Sequence, residues 1–208
     1  LLEGLLNFYF EHDPRILIDL LDDFSECLDI GVLIEFFREK DIMFVLDRTL
    51  RRYQTQNPSN ISASMGLNEL LIHINDYYGL IDSMKKCTSV DSSKLAEVLK
   101  VSEYRHFRVL GAKLMANTGN FSKSLSILVQ DDALIEILMI LCQSSNTQYA
   151  TAILTRYANV RNAVMFLAVA YVLYDLLHSD IVFELASYAQ FQDLSLPLYC
   201  QIMRHKMK

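Results

Sequence analysis

The chain is 208 residues long, 52% hydrophobic and 21% charged, with 19 Lys and Arg against 25 Asp and Glu and a formal net charge of −6. Such a composition favours a well-buried core over disorder, and an acidic balance lacks the basic clusters that a broad nucleic-acid footprint needs. Only 6 Gly and 3 Pro punctuate the chain, too few turn formers for a many-stranded sandwich or barrel.

Four cysteines, Cys27, Cys87, Cys142 and Cys200, are scattered with no CxxC pair. Each has apolar neighbours in sequence, which predicts buried free thiols in a reducing compartment and gives little support to a disulfide or metal framework. The chain begins at Leu1 and shows no signal-peptide pattern, so a fragment of a longer protein is expected. Its longest apolar stretch, 163–177, falls short of the ~20 residues that span a bilayer and includes Asp175, which predicts a buried helix.

In chain order, residues 1–10 read as an apolar helix broken at Glu11-His12-Asp13-Pro14. Asp13 followed by proline is a start signal, an N-cap acceptor with proline at the first helical position. The helix it opens places Ile16, Leu17, Leu20, Leu21 and Phe24 at helical spacing. Asp29 is expected to cap the next helix, with Val32, Leu33, Phe36 and Phe37 inward. Asp41 is expected to cap a third, with Phe44, Val45, Leu50 and Tyr53 on its apolar side. Residues 54–64, QTQNPSNISAS, are polar and aperiodic and read as a loop between hairpins. Helices resume over 65–74, 76–86, 92–99 and 103–116, the last stopping at Asn117-Thr118-Gly119-Asn120. Further helices follow over 121–129, 133–142 and 147–157.

The closing stretch, 162–203, holds two apolar runs that meet at His178-Ser179-Asp180 and a third that begins after Gln192-Asp193. A helix hydrophobic nearly all round must be covered by other helices. The whole pattern amounts to roughly thirteen helices joined by short breaks, with no period-two stretch long enough for a strand. Short connections fold neighbours antiparallel, and a long run of such pairs stacks. The fold class predicted is all-α, an α-solenoid of stacked antiparallel helical hairpins. Small residues such as Gly111, Ala112, Ser124 and Ala152 fall where helices would approach closely.

Candidate chemistry is sparse. Asp22, Asp23 and Glu26, with Asp19 one turn earlier, place carboxylates where a helix could share Mg²⁺ and hold a diphosphate. The competing reading is a solvated acidic face, and neither a second ligand cluster nor basic partners accompany it. The histidines His12, His73, His106, His178 and His205 are isolated, and no HExxH or GxSxG occurs. Arg48, Arg51 and Arg52 beside Tyr53, and Arg105, His106 and Arg108, could form small anion patches. At helix ends such residues ordinarily face the dipole and water. These residues predict a scaffold with no catalytic residues, no metal and no cofactor.

Three ungapped blocks nonetheless carry a family resemblance. The last runs Tyr174-Asp175-Leu176-Leu177, then Asp180, Val182, Glu184 and Ala186, then Asp193, Pro197, Tyr199, Gln201 and Met203. The middle block has Arg108, Ala112, Leu114 and Ser124. The first has Asp19-Leu20-Leu21, Ser25, Leu28-Asp29, Phe37 and Leu50-Arg51. In these residues the chain resembles the clathrin heavy chain, in the proximal leg next to the trimerisation hub, as a divergent member. The resemblance implies the end of one heavy-chain repeat over 1–58 and a final repeat over 59–208. It implies a structural coat protein of coated pits and vesicles, assembling with other heavy chains into a trimer and a lattice. It implies a cytoplasmic location with membranes reached only through adaptors. A tryptophan on the family's light-chain face is Phe121 here, and a basic position nearby is Ser59. If a light chain binds, its aromatic contact would be Phe121, without charge pairing at that loop; the other reading of Phe121 is a hydrophobic staple that closes its own hairpin. The residues Asp193, Pro197, Tyr199, Gln201 and Met203 would form the closing helix next to the hub. The alternatives are a vacuolar-sorting tethering subunit with clathrin-type repeats and, in another class, an all-α Mg-dependent diphosphate enzyme using Asp22, Asp23 and Glu26.

Overall fold

The computed structural model describes residues 2–24, 29–87, 89–159, 163–172, 182, 184 and 185. Among them the chain is helix after helix with no strand: α1 (Leu2–His12), α2 (Pro14–Phe24), α3 (Ile30–Glu39), a 3-10 turn (Met43–Leu46), α4 (Asp47–Gln56), α5 (Ile61–His73), α6 (Tyr77–Lys86), α7 (Ser92–Leu99), α8 (Arg105–Asn117), α9 (Phe121–Gln130), α10 (Leu134–Ser144), α11 (Thr147–Asn159) and α12 (Ala163–Val172). Where helices pack closely, it is on a sequence neighbour or on the helix two places along, as in α8 on α9 and α10 on both. This is the nearest-neighbour packing of an α-solenoid.

Local sequence explains most boundaries. Asp29 accepts the amides of Gly31 and Val32 and caps α3, as expected. Asp13 accepts the amide of Arg15, the second residue of α2. Asn60 caps α5 through Ala63 N–H, and Asp76 caps α6 through Gly79 N–H.

Four connections share one construction. Asp41, Asn75, Gly119 and Asp132 each have positive φ, at 56°, 60°, 85° and 49°. At each, the amide of this residue bonds the carbonyl three back and the next amide reaches five back: Asp41 to Arg38 and Ile42 to Phe37, Asn75 to Ile72 and Asp76 to Leu71, Gly119 to Ala116 and Asn120 to Met115, Asp132 to Val129 and Ala133 to Leu128. That is a Schellman ending, and the residue after it begins the next helix within three residues. Asp41 therefore does not cap a third helix. It terminates α3 in the left-handed conformation that Asp and Asn tolerate, and the 3-10 turn follows.

Two further expectations fail. Residues 54–64 do not form a loop: α4 runs through Gln56, four residues turn the chain, and α5 begins at Ile61. Phe44, expected on an apolar side, is 60% exposed.

By contacts the described chain groups into two units, Leu1–Leu95 and Ala96–Lys208. The first buries Leu17, Leu33, Phe37, Leu50, Leu70 and Leu80. The second buries Leu128, Ile137, Leu141, Leu154, Phe166 and Val169, joined by Val182 from beyond α12. Each fully buried Leu or Phe contributes roughly 1.5–3 kcal/mol by leaving water. The repeat boundary expected at 58/59 falls in the turn between α4 and α5.

Candidate functional site

Polar chemistry in this chain is concentrated at the helix ends and in one core layer. In the first unit, Gln54 of α4 is buried and donates from Nε2 to Ser64 Oγ at 3.1 Å, Ser83 O at 3.2 Å and Ser83 Oγ at 2.8 Å. Ser83 in turn donates to Asn68 Oδ1 at 2.6 Å. This network ties α4, α5 and α6 together in a layer from which water is excluded. Of the polar stretch 54–64, read from sequence as a loop signal, Gln54 and Ser64 enter this layer. Gln54, Ser64 and Ser83 pair with one another there, letters that would equally suit a solvated turn, while Asn68 Nδ2 is buried without a partner among the described residues.

At the helix ends, two arginines each span a hairpin. Arg51 of α4 donates to Asp47 Oδ1 at 2.7 Å and to Asp76 Oδ2 at 2.8 Å. The Asp76 carboxyl is held below the usual carboxylate range, first by the Gly79 amide and then by Arg51. In the second unit Arg108 of α8 grips Asp131 through Nε and Nη2, the latter at 2.7 Å, while Nη1 donates to the carbonyls of Ser102 at 2.9 Å and Glu103 at 2.8 Å. Arg105 Nε adds a bond to the Asp131 carbonyl. The Asp131 side chain is 7% exposed. The two clamps have the same design, an arginine reaching an aspartate 25 and 23 residues on. Arg51 and Arg108 are therefore spoken for structurally and do not simply face a helix dipole. Sequence reading missed this role, although the recurring Arg-to-Asp spacing of about one hairpin was there to be found.

Of the residues singled out from sequence, Phe121 opens α9, is half-buried and packs against the core of its unit. Ser59 lies exposed in the turn between α4 and α5. Asp22 and Asp23 fall in the last turn of α2 with Asp19 exposed one turn before, while Glu26 lies outside the described residues. So do Asp193, Pro197, Tyr199, Gln201 and Met203, as well as Cys27, Cys200, His178 and His205. Among the described residues no group of three His, Cys, Asp or Glu side chains is placed to hold a metal ion. His12 stacks on Phe8 and bonds its carbonyl, a local helix-end contact. Cys87 is buried and free, as expected, but Cys142 is exposed, because it lies on the outward side of α10.

Gly111 marks a close approach. A Cβ there would stand 2.9 Å from Leu99 Cβ and 3.1 Å from both the Ala96 carbonyl and the Lys100 amide. A second small-residue contact is Gly66 of α5 against Ile34 of α3, where a Cβ would meet Ile34 Cδ1 at 2.6 Å. What the surface offers is turns, clamps and exposed apolar side chains, the means of packing against another macromolecule.

Comparison with known proteins points the same way. No family model matches the chain. It is 29% identical over 199 residues to the probable clathrin heavy chain 1 of Caenorhabditis elegans and, over the same length, 29% identical to clathrin heavy chain 2 of Homo sapiens, covering 96% of this chain and 12% of each relative. It is 26% identical over 194 residues to the probable clathrin heavy chain of Schizosaccharomyces pombe. These are homologues, and the chain is similar to a divergent clathrin heavy-chain segment over nearly all of its length, while spanning only 12% of theirs.

Proposed function

We propose that this chain is a structural segment of a clathrin-type coat, a proximal-leg stretch whose task is to carry load and present contacts. The observation that carries the reading is the near-complete alignment with heavy chains at 23–29% identity, on a fold of helices packed in sequence order. On this reading 1–58 ends one heavy-chain repeat and 59–208 is the last before the trimerisation region. Its partners are other heavy chains in a trimer and lattice, at the cytoplasmic face of coated pits and vesicles, with membranes reached through adaptors. On this reading the role is structural, as in the heavy chains it resembles.

A chimaera tests this directly. The corresponding segment of a clathrin heavy chain is replaced by residues 1–208, and cage assembly is followed by electron microscopy. Closed polyhedral cages are expected. A chimaera that folds and trimerises yet never forms cages overturns the coat reading.

Light-chain contact at Phe121 belongs to the same proposal. The residue sits at the mouth of the turn 118–120, half exposed, with one side on its own core. Phe121→Ala should cost about 1–2 kcal/mol of stability from the buried part, below a fully buried phenylalanine. It should also weaken light-chain binding about tenfold or more if the exposed part is an anchor. Lost stability with unchanged affinity removes Phe121 from the contact.

A further inference from the structure

In the second unit α8 and α10 pack closely, as do α10 and α12, but α9 and α11 do not. Between α9 and α11 lies a surface groove of about 170 Å³. Its floor is apolar, made by the buried side chains of Leu125, Val129 and Ile153, which belong to the core of the unit. Its walls are low because the residues there are small: Ser122 and Ser126, one turn apart on α9, and Ala152 on α11. Tyr149 stands at one end, half-buried against the core. Asn146 holds that end in place by accepting the amides of Gln148 and Tyr149 at the start of α11. Arg156 stands at the other end, two turns or about 10 Å further along the same helix. The last turn of α11 suits a cation, and this cation also lines the groove. Asp132 and Arg156 act on the buried Tyr157 hydroxyl in opposite directions but form no ion pair with each other. Among the described residues no carboxylate pairs with Arg156.

We propose that this groove binds a small organic acid, with one apolar group of ring size on the floor and its carboxylate against Arg156. The proposal goes beyond the coat reading and does not depend on it. Volume sets the size of the ligand, since a cavity of about 150 Å³ holds a benzene ring and little more. The floor and the cation set its chemistry. A small site that is mostly apolar fixes its ligand by a few polar groups, and here the charged one is a guanidinium. Its forked donors match a carboxylate, and a neutral or cationic ligand would leave them unused. A partner helix laid across the surface needs anchors that repeat over several turns, whereas this groove ends after two.

The test follows amide NMR shifts of the 208-residue chain during titration with 3-phenylpropanoate. Two comparison ligands divide its chemistry: 3-phenylpropan-1-ol keeps the ring without the charge, and propanoate keeps the charge without the ring. Saturable shifts at Ser122, Ser126, Tyr149 and Ala152 are expected for the acid, with a Kd of about 1 mM or tighter. The alcohol and propanoate should each bind about tenfold more weakly or worse. Arg156→Gln should weaken the acid to the level of the alcohol. Ala152→Leu fills the groove from an exposed helical position, where leucine is a good helix former, and should abolish binding of both. Lys123→Gln removes the same charge from α9 outside the groove and should leave the affinity unchanged. Melting curves confirm that each variant is folded. Absence of a saturable shift at the groove, equal wild-type affinity for acid and alcohol, or full affinity in Arg156→Gln overturns the proposal. So does binding confined to a capped peptide that carries phenylalanine followed by aspartate, which would give the groove to a protein partner.

Discussion

Asp41 shows how a single residue sets the course of the backbone. It holds φ at 56° at the end of α3, a conformation that costs an ordinary L-residue roughly 1–2 kcal/mol and that Gly adopts freely. Its carboxylate also faces the negative end of the α3 dipole. Asp41→Gly is therefore expected to raise stability by a few tenths to about 1 kcal/mol, and Gly119→Ala, at φ 85°, to lower it by about 1–2 kcal/mol. Chemical denaturation of the two variants checks both signs. A second residue with a readable signature is Asp76. Its folded-state pKa is lowered, so its contribution is complete above the ordinary carboxylate range and is lost as pH falls through the folded value. Asp76→Asn keeps the N-cap but removes the charge facing Arg51, and should cost about 0.5–1 kcal/mol at neutral pH. The gap in melting temperature between wild type and variant should close on acidification, and a gap independent of pH would refute the assignment. Asp41 also marks where sequence reading reached its limit. Asp29, Asp41 and Asp76 are alike as letters, but Asp29 and Asp76 start helices while Asp41 stops one. Only the hydrogen bonds of the preceding turn distinguish them.

At the scale of the element, helices with a clear apolar stripe were legible, and 92–99 is found as expected. The stretch 54–64 was not, because propensity scores Gln, Ser and Asn as turn formers whether they meet water or each other. Gln54→Ala should cost about 2–4 kcal/mol, since it leaves Ser64 and Ser83 facing a void where their partner stood. The close approach at Gly111 offers a sharper contrast. Its added Cβ would press on the Ala96 carbonyl and Lys100 amide, which are backbone and cannot rotate away. At Gly66 the obstacle is the tip of Ile34, which can turn. Gly111→Ala should therefore destabilise by about 1–3 kcal/mol and Gly66→Ala by less, even though Ala is the better helix former at both sites. Thermal melts of the two single variants rank them. The exposed Phe44, Tyr78 and Ile135 were illegible for a different reason, since periodicity assigns an apolar residue to the core and cannot know which helix end lacks a neighbour.

In the whole molecule, packing between sequence neighbours means that stability is held locally. Gln54→Ala should reduce amide protection in α4, α5 and α6 and leave α9, α10 and α11 near their wild-type values, as hydrogen exchange would reveal. Uniform loss of protection would mean that the chain unfolds as one cooperative body. The three-residue corners carry a last consequence, for how such a chain can change over time. At 74–76, 118–120 and 131–133 the left-handed residue and the helix start are adjacent, so there is no slack between one helix and the next. One residue inserted inside a following helix turns everything after it by about 100°, swinging the apolar stripe out of the core. A replacement at the same place disturbs only its own contacts. Lineages built this way can exchange most of their letters but not add or drop them at these corners, and tolerated changes of length should fall in the roomier connections such as 57–60.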